Sequence, residues 1–178
     1  MNLWLRLLWL WVAGRSRPPI SVLGPCCTPF RVSLFDLDLF RHMNNGRYFT
    51  IMDLARVDLM RRSGFLATLN RAGFYPVVTV ASMFFRRSLN WRERFEIVTE
   101  VVAWDENSLL LSQRFMRADE EVATAVVRAR FRRRSGGSVP TAELLLLVNE
   151  EVAYPSSPEW VAAWVDVFDA GIPGALRG

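Results

Sequence analysis

The chain has 178 residues, 51% of them hydrophobic, enough for one domain with a sizeable core and too apolar for a disordered tail. Its net charge of +4 is carried by arginine alone, because no lysine is present, so Schiff-base chemistry and a lysine general base are excluded. One histidine excludes a multi-histidine metal site, and two adjacent cysteines, Cys26 and Cys27, make no disulfide framework, which fits a reducing compartment.

From the N-terminus, Leu3 to Ala13 is apolar and rich in tryptophan (Trp4, Trp9, Trp11), interrupted by Arg6. It is too short for an ordinary spanning helix. Its charges follow rather than precede the apolar run, unlike a secretory signal. Two readings stand: an amphipathic helix on a membrane surface, or a segment packed on the protein itself or on a partner subunit. Residues 14 to 29 read as a linker of Gly and Pro. Phe30 to Leu34 is a short strand. From Asn45 or Gly46 to about Arg62, Tyr48, Ile51, Met52, Ala55 and Leu59 follow helical spacing, with Phe49 and Met60 on other faces, so the helix is buried on most sides. Gly64 stops it. Asp53 and Arg56 read as an internal ion pair. An irregular piece with Asn70 and Gly73 follows.

The period then changes. Pro76 to Ser88, Phe95 to Trp104, Leu109 to Arg117 and Val122 to Arg133 read as strands, separated by short turns that require antiparallel pairing. In the last strand Arg128, Arg130 and Arg132 point one way and Val127, Ala129 and Phe131 the other. Thr141 to Glu151 reads as helix, with Leu144 to Val148 an alternative strand, and Trp160 to Ala170 as a C-terminal helix. The expectation is one α+β domain over 28–150, preceded by a hydrophobic segment and linker (1–27) and followed by a helical extension (151–178).

The chain's polar chemistry is concentrated in Asp36 to Tyr48, D-L-D-L-F-R-H-M-N-N-G-R-Y, at the mouth of the buried helix. Asp36 reads as structural, bonding backbone amides of its loop. Asn44 or Asn45 can cap the helix or touch substrate, with capping the simpler role for Asn45. Tyr48 suits helix packing. No zinc-finger or helix-turn-helix pattern accompanies the arginines, so nucleic acid is not expected. An anionic membrane, a phosphate-bearing ligand and a solvated arginine surface all remain open. A serine-hydrolase elbow, G-x-S-x-G, is missing from the sequence.

This motif and the element order resemble the hotdog-fold acyl-CoA thioesterases, in the branch that contains the 4-hydroxybenzoyl-CoA and acyl-carrier-protein thioesterases. The resemblance covers roughly residues 28 to 150. It implies one central helix wrapped by a curved antiparallel sheet of five to six strands, assembled as a homodimer or homotetramer. It implies a cytoplasmic thioester hydrolase, peripheral to a membrane if residues 3–13 make that contact. The substrate would be an acyl-CoA or an acyl-carrier protein, and no metal or redox cofactor is implied. Residue by residue, it makes Asp38 the catalytic carboxylate, as nucleophile or general base, and brings His42 and Asn44 to the site. Phe40 stands where the plant acyl-carrier-protein enzymes have asparagine. Asn45, Tyr48, Arg86 and Arg87 are the expected substrate contacts, the arginines for coenzyme A phosphates; Arg128, Arg130 and Arg132 are a second candidate row. Ile51, Met52, Met83 and Phe84 are candidate lining for an acyl tunnel or, equally, plain core.

Overall fold

The computed structural model describes residues 3–13, 17–148, 155 and 159–169. In chain order the elements are α1 (Leu3–Ala13), β1 (Cys26–Arg31), a 3-10 turn at Leu34–Asp36, α2 (Asn45–Arg62) and α3 (Phe65–Ala72). Then come β2 (Phe74–Phe85), β3 (Arg94–Trp104), β4 (Ser108–Arg117), β5 (Glu120–Arg133), β6 (Ser138–Val139), α4 (Thr141–Leu146) and α5 (Glu159–Asp169).

All strand pairs are antiparallel, in the order β1-β3-β4-β5-β2, with β6 also on β5. Register shifts at Val78/Val80, Val101/Ala103 and Phe115/Met116 bend the strands and raise their twist. The curled sheet encloses α2: Ile97, Val101, Leu111, Phe115, Ala123, Ala125 and Val127 share one core with Ile51, Met52, Leu54, Ala55 and Leu59. This is the hotdog fold. A polar tie crosses that core. The fully buried Gln113 donates from Nε2 to the Met52 carbonyl and to Thr99 Oγ1, each at 3.1 Å, and accepts from Arg56 Nη1 at 2.5 Å. Leaving such an amide unpaired would be costly, so the tie fixes how α2 sits on β3 and β4. On the outer face, Val161 of α5 packs on Val102, Ala103 and Leu110, and Trp164 Nε1 donates to Ser82 Oγ at 2.7 Å.

Several boundaries differ from the sequence reading. The first strand starts at Cys26 rather than Phe30, and Cys26 to Pro29 pair with Thr99 to Glu96, so the linker ends sooner. The irregular piece after Gly64 is α3, whose Phe65 and Leu69 pack on Phe131 and Leu144; two apolar turns are too short to show a period. Leu144 lies in α4, so the alternative strand is absent there. Gly64 does end α2, with φ of 75°. Residues 149–151 and Ala170 of the expected helices lie outside the described residues.

Candidate active site

The motif forms a closed loop. Asp38 N–H donates to the His42 carbonyl at 2.8 Å, Met43 N–H to Leu89 O at 2.8 Å and Asn44 N–H to Asp36 O at 2.8 Å. Asp38 Oδ1 accepts the Phe40 and His42 amides at 2.8 and 3.2 Å. Its Oδ2 makes no hydrogen bond among the described residues, so one carboxylate oxygen is held by the loop and the other is available for chemistry. Arg41 takes a left-handed φ of 63° to close the turn. Leu39 and Phe40 project from its tip, 98% and 80% exposed.

Asn44 is the cap of α2: its Oδ1 accepts the Gly46 amide at 2.9 Å. Asn45 is the first helical residue and is exposed, so the capping role expected of it falls one residue earlier. Asp36 is fully buried and structural, but with more partners than its own loop supplies. It accepts the Ser33 amide and hydroxyl at 2.8 Å each, Arg47 Nε and Nη2 at 3.1 and 3.0 Å, and Arg6 Nη2. Burial pushes its carboxyl up, but the Ser33 amide, the Arg6 charge and the Ser33 hydroxyl together outweigh that and hold it below the usual range.

Asp38, His42, Asn45, Tyr48, Arg86 and Arg87 meet around one open cleft of about 250 Å³, with Met43, Phe85 and Ser88 completing it. Phe85 and Ser88 carry no site signal in the sequence, although they flank the two arginines. His42 is exposed. Tyr48 is 2% exposed; its hydroxyl accepts the Leu89 amide at 3.3 Å and its ring lies 5.1 and 5.0 Å from Phe85 and Phe115. Burial drives the Tyr48 phenol above its ordinary value, so it is a neutral packing residue at the cleft floor. Arg86 and Arg87 face Glu121 and Glu120 at 3.3 and 3.5 Å but stay 57% and 70% exposed, free enough to exchange partners for a phosphate. Arg128 is different. It is buried, bonded to Asp105 at 2.6 Å and Ser108 at 2.8 Å, so the expected arginine row reduces to Arg130 and Arg132.

The choice between tunnel lining and core is decided for three of the four candidates. Ile51 and Met52 are 0% and 1% exposed and belong to the closed core, while Phe84 is 61% exposed. A separate apolar cavity of about 240 Å³ lies between the second half of α2 and the sheet. Val57, Met60, Phe65, Val78, Leu109 and Phe131 are among its walls, with the Asp53–Arg56 pair at one side. Asp53 is 65% exposed, so that pair is a wall of the cavity rather than an internal bridge. Along α2 the cavity begins five residues after Tyr48, about 8 Å at 1.5 Å per residue. Among the described residues no cluster of three or more His, Cys, Asp or Glu can hold a metal. Both cysteines are free, and no described helix is long and apolar enough to cross a membrane.

Residues 32–165 match the family model described as the thioesterase-like superfamily. The chain belongs to that superfamily. It is 33% identical over 172 residues to Protein THEM6 of Danio rerio, covering 95% of this chain and 84% of the fish protein. It is 32% identical over 135 residues to Protein THEM6 of Xenopus laevis, covering 76% of this chain and 64% of the frog protein, slightly under two thirds of that relative's length. Among solved structures, the BH1999 gentisyl-coenzyme A thioesterase superposes with a TM-score of 0.61 at 18% identity, over 67% of this chain and 98% of the other. At that identity the likeness is one of fold. Membership supports thioester hydrolysis in general.

Proposed function

We propose that the protein is an acyl-CoA thioesterase in which Asp38 acts as nucleophile or general base. The observation that carries this reading is the half-engaged Asp38 carboxylate: Oδ1 tied to its loop, Oδ2 unbonded, in a cleft that also holds two exposed arginines. As a base, Asp38 takes a proton from water as the oxygen attacks the thioester carbonyl. As a nucleophile it forms a mixed anhydride that water then opens. Either route builds an oxyanion, and the first turn of α2, whose Asn45 lines the cleft, offers a positive dipole end to it; the Gly46 and Arg47 amides are already engaged by Asn44. A single donor to the oxyanion is worth roughly 3 kcal/mol in known oxyanion holes. Collapse expels the thiolate, with Arg86 and Arg87 on the coenzyme A phosphates and His42 and Asn44 at the loop. The reading calls for no metal or redox cofactor.

The acyl tail fits the apolar cavity, since a cavity of about 150 Å³ accommodates benzene. A ring or a medium-length aliphatic tail is of matching size. A second copy of the chain is part of the reading. β2 is a twelve-residue edge strand that exposes Tyr75, Val77, Val78, Phe84 and Phe85, and an edge of that length is normally covered.

A second reading, a non-catalytic protein that binds acyl-CoA or acyl-carrier protein at a membrane surface, is favoured by the exposed Leu34, Phe35, Leu39 and Phe40 together with Leu5, Leu8 and Val12 on the outward side of α1. Thiol release from a panel of aliphatic and aromatic acyl-CoAs, wild type against Asp38→Ala, separates the two. The first reading expects turnover that falls on the order of 10²- to 10⁴-fold in the variant. Acyl-CoA binding without turnover at any chain length would support the second.

A further inference from the structure

We propose that Arg6 is a positioning residue for the motif loop, holding Asp36 and, through it, the backbone that carries Asp38. Only the kinetic arm of the argument rests on the thioesterase reading.

Arg6 interrupts an otherwise apolar helix, yet it is 2% exposed, because α1 lies against α2 with Leu10 in the core and Arg6 pointing under the motif loop. One nitrogen, Nη2, reaches three groups of that loop and the strand before it: Asp36 Oδ2, the Arg31 carbonyl at 3.3 Å and Ser33 Oγ at 3.3 Å. Asp36 is fixed on both sides. Its carboxylate gathers Ser33, Arg6 and Arg47, and its carbonyl accepts the Asn44 amide that closes the loop at 2.8 Å. Asp38 stands two residues further on, inside that closure.

Of the two arginines on Asp36, Arg47 has a side chain 28% exposed and Arg6 only 3%. Without Arg6, a fully buried carboxylate keeps the Ser33 amide and hydroxyl but only one counter-charge, Arg47, which can swing to water, and the loop gains a reason to open. A displacement of about 1 Å at a reacting group can cost 10²-fold in rate.

The other end of the N-terminal segment supplies a control. Arg17 Nη1 bonds the buried Asp58 Oδ2 at 3.2 Å, and Asp58 is also held by Thr28 at 3.0 Å and Arg61 at 3.3 Å. Asp58 lies in the second half of α2 and is no part of the cleft, so its loss affects the fold without moving Asp38.

The test compares full-length wild type with Arg6→Gln, Arg6→Lys, Arg6→Gln/Asp36→Asn and Arg17→Gln, each assayed well below its unfolding midpoint. One readout is kcat and KM for acyl-CoA. The other is the NMR signal of His42, the only histidine, whose amide donates to Asp38 Oδ1. The proposal expects Arg6→Gln to lower kcat on the order of 10- to 100-fold with KM little changed, and to displace the His42 resonances. Arg6→Lys keeps the charge but not the planar fork, so a smaller loss is expected. The double variant, with no uncompensated buried charge, should recover part of kcat. Arg17→Gln should lower the melting temperature alone. An Arg6→Gln protein that loses melting temperature as Arg17→Gln does, with kcat and the His42 signal unchanged, overturns the proposal. If Arg6→Gln does not fold, the Lys and double variants decide by the same two readouts. If wild type turns over no thioester, the hydrolase reading falls and the His42 spectra alone judge the latch.

Discussion

Tyr48→Phe removes one hydroxyl and nothing else, which makes it a sharp probe of what Tyr48 does. The ring contacts with Phe85 and Phe115 survive, while the amide of Leu89, a residue with no exposure, loses its acceptor. An unsatisfied buried donor costs about 1–3 kcal/mol, and the 3.3 Å separation places this bond at the weak end, near 1 kcal/mol. For a domain of this size each kcal/mol moves the melting temperature by about 2–4 °C, so Tyr48→Phe should melt a few degrees lower. Tyr48→Ala empties a buried aromatic site and should cost about 3–5 kcal/mol. Calorimetry and urea titration give the stabilities; steady-state kinetics on the same samples give the function. A packing residue predicts that Tyr48→Phe, folded, keeps kcat and KM. A variant as stable as wild type whose KM rises about tenfold, equivalent to 1.4 kcal/mol, would refute the reasoning and place the hydroxyl on substrate.

Filling the cavity should change chain-length preference. Val57→Phe adds a ring to its wall, and each methylene displaced from the cavity forfeits about 0.8 kcal/mol, near fourfold in kcat/KM; long tails should therefore lose more than short ones, and a uniform loss would argue that the tail lies elsewhere. Acid should weaken the fold through Asp36 and Asp105. For both, burial raises the carboxyl but is outweighed, for Asp36 by Ser33 and Arg6 and for Asp105 by Ser108, Asn107 and Arg128. A folded value below the unfolded one gives stability that is whole above about pH 4 and fades as the pH drops through the folded values. Urea midpoints taken from pH 6 downward check this, and Asp36→Asn should flatten the decline.

Most of the order of elements is legible in the chain from local signals; α3 and the first half of β1 are not, being too short or too rich in Cys and Pro to show a period. Period 3.6 marked Tyr48 to Leu59, the strands declared themselves by β-branched and aromatic runs with short turns between, and Gly64 marked the end of α2. The motif resemblance named the fold and pointed to Asp38 and His42, and phosphate chemistry added Arg86 and Arg87; the structure brings all four to one cleft. What local signals cannot carry is partnership across the fold. Alternation put Arg128 on the outer face beside Arg130; the β4–β5 register pairs it with Leu110, and only in the folded sheet does its side chain reach diagonally to Ser108 and to Asp105 in the preceding turn. The sequence leaves Ile51 and Met52 open between tunnel lining and plain core; whether an apolar side chain meets a void or a neighbour depends on packing around it, and theirs is closed. Arg6 read as an interruption in an apolar helix. Its 30-residue reach to Asp36 exists only once α1 lies on α2, because a buried charge is tolerated where its counter-charge arrives from a distant part of the chain.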